Sequence, residues 1–320
     1  MSASGSAAPD EPVTREWLER VFETTRNWGR WGPDDERGAL NYVTPAKRAR
    51  AAAGVRDGAV VSCSRDLPVE PSAENPRPAH HHMLVAGDDA EALGIPGLGA
   101  TMDYVGVAFH GMATSHIDAL CHVVVGGRLY NGFPATEVRS TGARRDSIMV
   151  AADGVVSRGV LLDVPRLRGT AWLEPGERIL PRDLERAEAA QGVRVEEGDV
   201  LLVATGRDAR RAAKGAWDPT GVGLAGLDAR CIPWLHERRV AVLGSDGVSD
   251  ALPGAGIEGW PIPVHQCCLV GMGVHLLDNL ALAALAQACA ERRRWEFLFA
   301  VAPLRVVGGT GSPVNPLAIF

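Results

Sequence analysis

The sequence predicts a mixed α/β fold, and three stretches carry that prediction. Gly159-Val160-Leu161-Leu162-Asp163-Val164, Asp199-Val200-Leu201-Leu202-Val203-Ala204-Thr205-Gly206-Arg207 and Val240-Ala241-Val242-Leu243-Gly244-Ser245-Asp246-Gly247 are short apolar runs bounded by Gly or Asp. Such runs are the pattern of strands buried on both faces. Segments with helix signals lie between them, and strands alternating with helices give an α/β architecture. The chain carries no internal repeat and no Gly-x-Gly-x-x-Gly preceded by a strand, so nucleotide binding is not expected.

Taken in order, residues 1–12 are small, polar and Pro-containing and read as a disordered tail. Thr14 is placed to cap a helix with Glu16 and Glu19 early and Val21 and Phe22 on its apolar face. From Asn27 to Asn41, Trp28 and Trp31 stand among glycines, Pro33 and paired acids, which makes a loop of set shape. These tryptophans either anchor the loop on the core or wall a substrate pocket. Thr44-Pro45 starts a helix to about Ala53, and residues 55–64 read as a turn and a strand.

Residues 68–80, rich in Pro, Asn and acids, form a long irregular connection. It ends in His80-His81-His82-Met83, expected as a surface or pocket-edge loop. Tyr104 to Phe109 is apolar and leads into the stretch discussed below. Gly126-Gly127 and Tyr130-Asn131-Gly132 signal turns, and Tyr130 either anchors its turn or hydrogen-bonds a substrate. Asp163 closes its strand and caps or positions a neighbouring loop. Pro181-Arg182-Asp183-Leu184 opens a helix through Gln191, which Gly192 ends. Arg207, at a strand exit, reads equally as a salt-bridged surface group or an anion clamp. Leu280 to Ala290 is an Ala- and Leu-rich helix, Phe297-Leu298-Phe299 a strand, and residues 308–316 a loop.

Composition narrows the function. A chain of 320 residues with 46% hydrophobic and 22% charged content can bury a sizeable core. Its net charge of −6 gives no footprint for nucleic acid. Six cysteines without a Cys-x-x-Cys pair suit a reducing cytoplasm, the expected location. No apolar stretch reaches membrane-spanning length, so no membrane partner is expected.

The chemistry concentrates in Phe109-His110-Gly111-Met112-Ala113-Thr114-Ser115-His116-Ile117-Asp118-Ala119-Leu120-Cys121-His122, which holds three of the nine histidines. His116 and Asp118 share one face of a strand, roughly 6–7 Å apart, and a turn would return His122 to them. Three potential ligands in seven positions are costly to bury without a shared counter-ion. Imidazole nitrogen and carboxylate oxygen bind a divalent metal at about 2.0–2.2 Å. His110 would sit roughly 20 Å away on a regular strand, and reaches the group only if Gly111 marks a bend. Cys121 reads as a packing residue. A second segment offers His265 at the start of an apolar helix or strand and Asp278 at the end of the next apolar run, with His275 among aliphatics.

His116-Ile117-Asp118-Ala119-Leu120-Cys121-His122 resembles the His-x-Asp-x-Pro-x-His core of the cyclase-like metal hydrolases, the superfamily of bacterial kynurenine formamidase, isatin hydrolase and polyketide cyclases. The Trp28–Trp31 loop, Tyr130-Asn131-Gly132 and residues 308–316 are similar to the family as well. The family pattern has a ligand histidine four residues before His116, where this chain has Met112, a soft and weak ligand; one of His80, His81 and His82 is a candidate replacement.

The resemblance implies one domain over 13–320, with a mixed sheet, a barrel-like core and flanking helices of the swivelling β/β/α type. It implies a divalent metal, Zn or Mn, on His116, Asp118, His110 and Asp278, with His122 or His265 as general base. Trp28, Trp31, His82 and Tyr130 would line the substrate, and a homodimer or homotetramer is expected. The implied reaction is hydrolysis of an amide, lactam or lactone in a small cyclic or aromatic molecule. The alternative is a metal-independent cyclase or isomerase of a polyketide-like substrate that uses the same His/Asp cluster.

Overall fold

The protein is described by a computed structural model covering residues 12–89 and 94–320, so the tail expected over 1–12 lies, except for residue 12, outside the described residues. Nine of the described strands share one curled sheet. They are β1 (Val60–Ser62), β2 (His116–Asp118), β3 (Val155–Asp163), β4 (Val200–Ala204), β5 (Val242–Ser245), β6 (His275–Asp278), β7 (Glu296–Val301), β8 (Gly311–Pro313) and β9 (Leu317–Ile319). Their order is β1-β9-β7-β3-β4-β5-β6-β2-β8. The central β3, β4, β5 and β6 run parallel, and the pairings outside them are antiparallel.

Both faces of the sheet are covered, which is why its central strands read as continuous apolar runs. Val160, Leu162, Leu201, Val203, Leu243 and Leu276 point into one core with Trp17, Leu18 and Phe22 of α1 (Arg15–Thr25). Ile117, Leu161, Leu202, Val242 and Leu277 point the other way, toward Phe297, Phe299, Leu285 and Phe320. The mixed α/β architecture expected from the sequence is the one observed.

Local signals place the helix ends. Thr14 Oγ1 accepts the Trp17 N–H at 3.1 Å, and Thr44 Oγ1 accepts that of Lys47 at the start of α2 (Pro45–Ala53). Asp163 caps α3 (Val164–Arg168) by accepting the Arg166 N–H at 3.0 Å. Gly192, at φ 64°, ends α4 (Pro181–Gln191), a left-handed cap that costs glycine little.

Three segments differ from the sequence expectation. His80–Val85 is a strand paired antiparallel with Met102–Gly106 in an exposed hairpin; neither face is buried, so no polar–apolar alternation marks it. Regular strand therefore ends at Gly106, and residues 107–115 are irregular. Gly311–Pro313 is an edge strand, not a loop, and Pro is tolerated at a sheet edge.

The loop over 27–42 is docked by a close approach of two glycines. The Ala39 N–H donates to Gly273 C=O at 2.8 Å. Gly38 has φ 55°, and a Cβ there would lie 2.2 Å from Gly273 O. Gly38→Ala is expected to cost about 2–4 kcal/mol, combining overpacking with a left-handed alanine. Urea denaturation measures it, and a cost under about 1 kcal/mol would contradict the packing.

Candidate metal centre

Strand register assembles the first half of the site. β2 lies antiparallel beside β6, with His116 opposite Asp278 and Asp118 opposite Leu276. The three polar side chains therefore leave the same face while Ile117 enters the opposite core. His116 Nδ1–H donates to Thr114 C=O at 2.8 Å, which leaves Nε2 turned toward Asp118 Oδ1 at 3.4 Å. A turn follows Asp118, in which the His122 N–H donates to Ala119 C=O at 3.0 Å. It returns His122 Nε2 to 4.0 Å from Asp118 Oδ1.

His110 reaches the group through a bend at Gly111, the condition on which its candidacy rested. The chain from 110 to 115 folds back, so His110 Nδ1 lies 3.0 Å from Asp118 Oδ1. Its Nε2 is 3.0 Å from Thr310 Oγ1, and its ring stacks flat on His122 at 3.7 Å.

His265 comes from α5 (Pro263–His265), which continues as a π-helix over Gln266–Met272. Asp250 fixes it: its carboxylate accepts the N–H groups of Val264 and His265 and pairs with His265 Nδ1 at 2.6 Å. His265 Nε2 then faces Asp278 Oδ2 at 3.3 Å and Asp118 Oδ2 at 3.8 Å.

Burial sets the charge state. Asp118 is 1% and Asp278 3% exposed. Among the described residues, both Asp118 oxygens and Asp278 Oδ1 lack an aligned hydrogen-bond donor, a costly condition for buried carboxylates. Burial would raise the Asp118 pKa, but His110 and His116 hold it well below the usual carboxylate range. Burial would lower His116, yet Asp118 and Asp278 push it up to about 9. Burial likewise opposes charge on His265, and Asp278 with Asp250 outweighs it, so its pKa is well raised. His122 is different: burial lowers it despite Asp118.

The raised pKa values of His116 and His265 favour their charged forms beside the buried carboxylates of Asp118, Asp278 and Asp250, and a divalent cation would bring two further positive charges to the same place. Among the described residues, two sets of side chains bring ligand atoms within 4.8 Å of one another, His110/Asp118/His122 and His116/Asp118/Asp278. They share Asp118. Imidazole with carboxylate fits a divalent transition metal, and the orphaned oxygens give it acceptors.

The remaining predicted residues sit elsewhere. Trp28 Nε1 donates to Val270 C=O at 2.7 Å, and Trp31 packs edge-on against Tyr42 at 5.0 Å. Tyr130 is fully buried, its hydroxyl donating to Asp35 Oδ2 at 3.0 Å. His82 is exposed on the hairpin, 5.1 Å from the Tyr104 ring. None of His80, His81 and His82 joins either ligand set. Sequence reasoning missed Asp250, whose only signal is an acid in the loop after an apolar strand. A cleft of about 210 Å³ opens beside the cluster, lined by Phe109, His110, Met112, Thr114 and Pro219. Clefts of about 350 and 570 Å³ elsewhere carry none of these imidazoles.

The family model Cyclase, described as "Putative cyclase", matches residues 51–250. Isatin hydrolase of Roseibium aggregatum is 29% identical over 145 residues, 44% of this chain. That match spans about half of the curated relative, 52% of its length. A crystal structure described as a novel cyclase superposes with a TM-score of 0.84 at 32% identity, over 93% of this chain and 99% of its own. Isatin hydrolase A from Labrenzia aggregata bound to benzyl benzoate has the same fold, with a TM-score of 0.59 at 22% identity over 84% of this chain and 95% of its own.

The raised His116 pKa makes a prediction for chelator-treated protein. Its stabilising contribution is fully present below the unfolded value of about 6.5 and is lost as pH rises through about 9. Urea denaturation from about pH 6 to 10 is expected to show stability falling, by at most about 1.4 kcal/mol per pH unit per proton. A profile that rises over that range would contradict the assigned protonation.

Proposed function

We propose that this chain, which belongs to the Cyclase family, is a metal-dependent hydrolase of an amide, lactam or lactone bond in a small cyclic or aromatic molecule. The observation that carries the reading is Asp118, a buried carboxylate with neither oxygen satisfied, set among His110, His116, His122 and His265. Similarity to an isatin hydrolase supports the reaction class.

In this reading His110, His116, Asp118 and Asp278 would hold Zn or Mn. A divalent cation there supplies polarisation of a carbonyl and acidification of water. His265, clamped by Asp250, keeps Asp278 oriented. His122 is the general base, since it has a 31% exposed side chain and a lowered pKa, and so is neutral and reachable near pH 7. It takes a proton from water as the water oxygen adds to the carbonyl carbon. When the C–N or C–O bond breaks, the imidazolium returns that proton to the leaving atom. The apolar wall of Phe109, Met112 and Pro219 suits a flat ring. A homodimer or homotetramer remains part of the proposal.

The second reading, a metal-independent cyclase or isomerase, draws on the raised pKa values of His116 and His265, which give the cluster's carboxylates cationic partners without an ion. Turnover on a panel of aromatic amides, lactams and lactones separates the two. Asp118→Asn is expected to lose bound metal and at least about 100-fold in kcat/KM, comparable with removing a ligand or its orienting partner. His122→Gln is expected to keep the metal and lose about 10²–10⁴-fold in kcat. Metal-stripped protein as active as the reloaded form would favour the second reading.

A further inference from the structure

We infer that Arg207 and Asn279 are positioning residues that hold the 110–116 segment in its ligand-presenting shape without touching the site's open face. The inference rests on the metal reading above. Arg207, at the exit of β4, is 2% exposed. Its Nη2 donates to Met112 C=O at 2.5 Å and to Glu74 Oε2 at 2.8 Å. Its Nη1 donates to Asn279 Oδ1 at 2.7 Å and to Asp246 C=O at 3.3 Å. Neither terminal nitrogen is left for a solute anion, so Arg207 is neither a surface ion pair nor an anion clamp.

Asn279, fully buried and at φ 56°, extends the bracket. Its Nδ2 donates to Gly111 C=O at 2.8 Å and Thr114 C=O at 3.2 Å. Its own C=O accepts the Ser115 hydroxyl at 2.7 Å. Asparagine tolerates the left-handed backbone while offering both a donor and an acceptor.

The bonds converge on one function. The carbonyls of Gly111, Met112 and Thr114 are all gathered toward the ends of β4 and β6. That gathering is what folds His110 back to Asp118. Thr114 C=O also receives His116 Nδ1–H, so Asn279 fixes the carbonyl that selects the His116 tautomer. Outer partners of this kind typically change metal affinity 10–100-fold. Met112 therefore acts through its carbonyl, and the ligand the family pattern places at its position is supplied by His110.

The test compares full-length wild type with Asn279→Asp, which keeps size and acceptor but removes the two donors, and Arg207→Lys, which keeps charge but removes the fork. Affinity for Zn²⁺ and Mn²⁺ is read by chelator competition, and amide exchange is read on the metal-free chains. The expected result is about 10–100-fold weaker metal binding with protection lost over 111–116 and retained in β3 and β4. Metal binding within about twofold of wild type in both variants would overturn the inference. So would loss of protection spread evenly through the sheet, or failure of both variants to fold, since either makes the network a general stabiliser. A wild type that binds no divalent ion removes the metal reading instead. Exchange over 111–116 then decides alone, and unchanged protection in Asn279→Asp overturns the bracket.

Discussion

The pairing of β2 with β6 is the constraint on which the rest depends. With His116 opposite Asp278, three titratable side chains emerge on one buried face. A slip of β2 by one residue would turn His116 and Asp118 into the opposite core, away from Asp278, and bring Ile117 into their place. The pairing is held on the other side by β8, and the flanking apolar residues of β2 and β6 commit each strand to one orientation. Once register is set, the buried carboxylates must be neutralised, because charge without partners in such a place costs several kcal/mol. Four imidazoles converge on them, from the 110–122 segment and from the helix at 263, and two of these, His116 and His265, have the raised pKa values that favour the charged form.

Two of those imidazoles arrive by unusual local structure. His110 returns through an irregular segment whose carbonyls are tied down by buried side chains from other strand exits. His265 closes a turn of helix that continues as a π-helix, a form often found at functional sites. Its ring is oriented by Asp250, which also caps the helix start. The site thus sits where parallel strands release their loops, the usual place for chemistry on an α/β sheet.

Much of this was legible in the residues. The apolar runs at 159–164, 199–207 and 240–247 are strands, and Thr14, Thr44, Asp163 and Gly192 mark helix ends as their chemistry predicts. The spacing of His116, Asp118 and His122 pointed to their convergence, because period-two and turn geometry are local. His110 was legible only as a conditional candidate, because the bend that returns it depends on Arg207 and Asn279, 97 and 169 residues away. The hairpin at 80–106 was hidden for a different reason: strands exposed on both faces leave no burial pattern to read. Trp28, Trp31 and Tyr130 could be read two ways, and their observed contacts are with the loop and the core.

The central claim is that Asp118 is buried unsatisfied because a cation belongs beside it. Anomalous diffraction from crystals grown with Zn²⁺ or Mn²⁺ tests this most directly. The account predicts a peak between β2 and β6, about 2.0–2.2 Å from an Asp118 oxygen and with His116 Nε2 among its ligands. Density at that place explained by water alone, with the metal bound only at the exposed histidines of the hairpin, would contradict it.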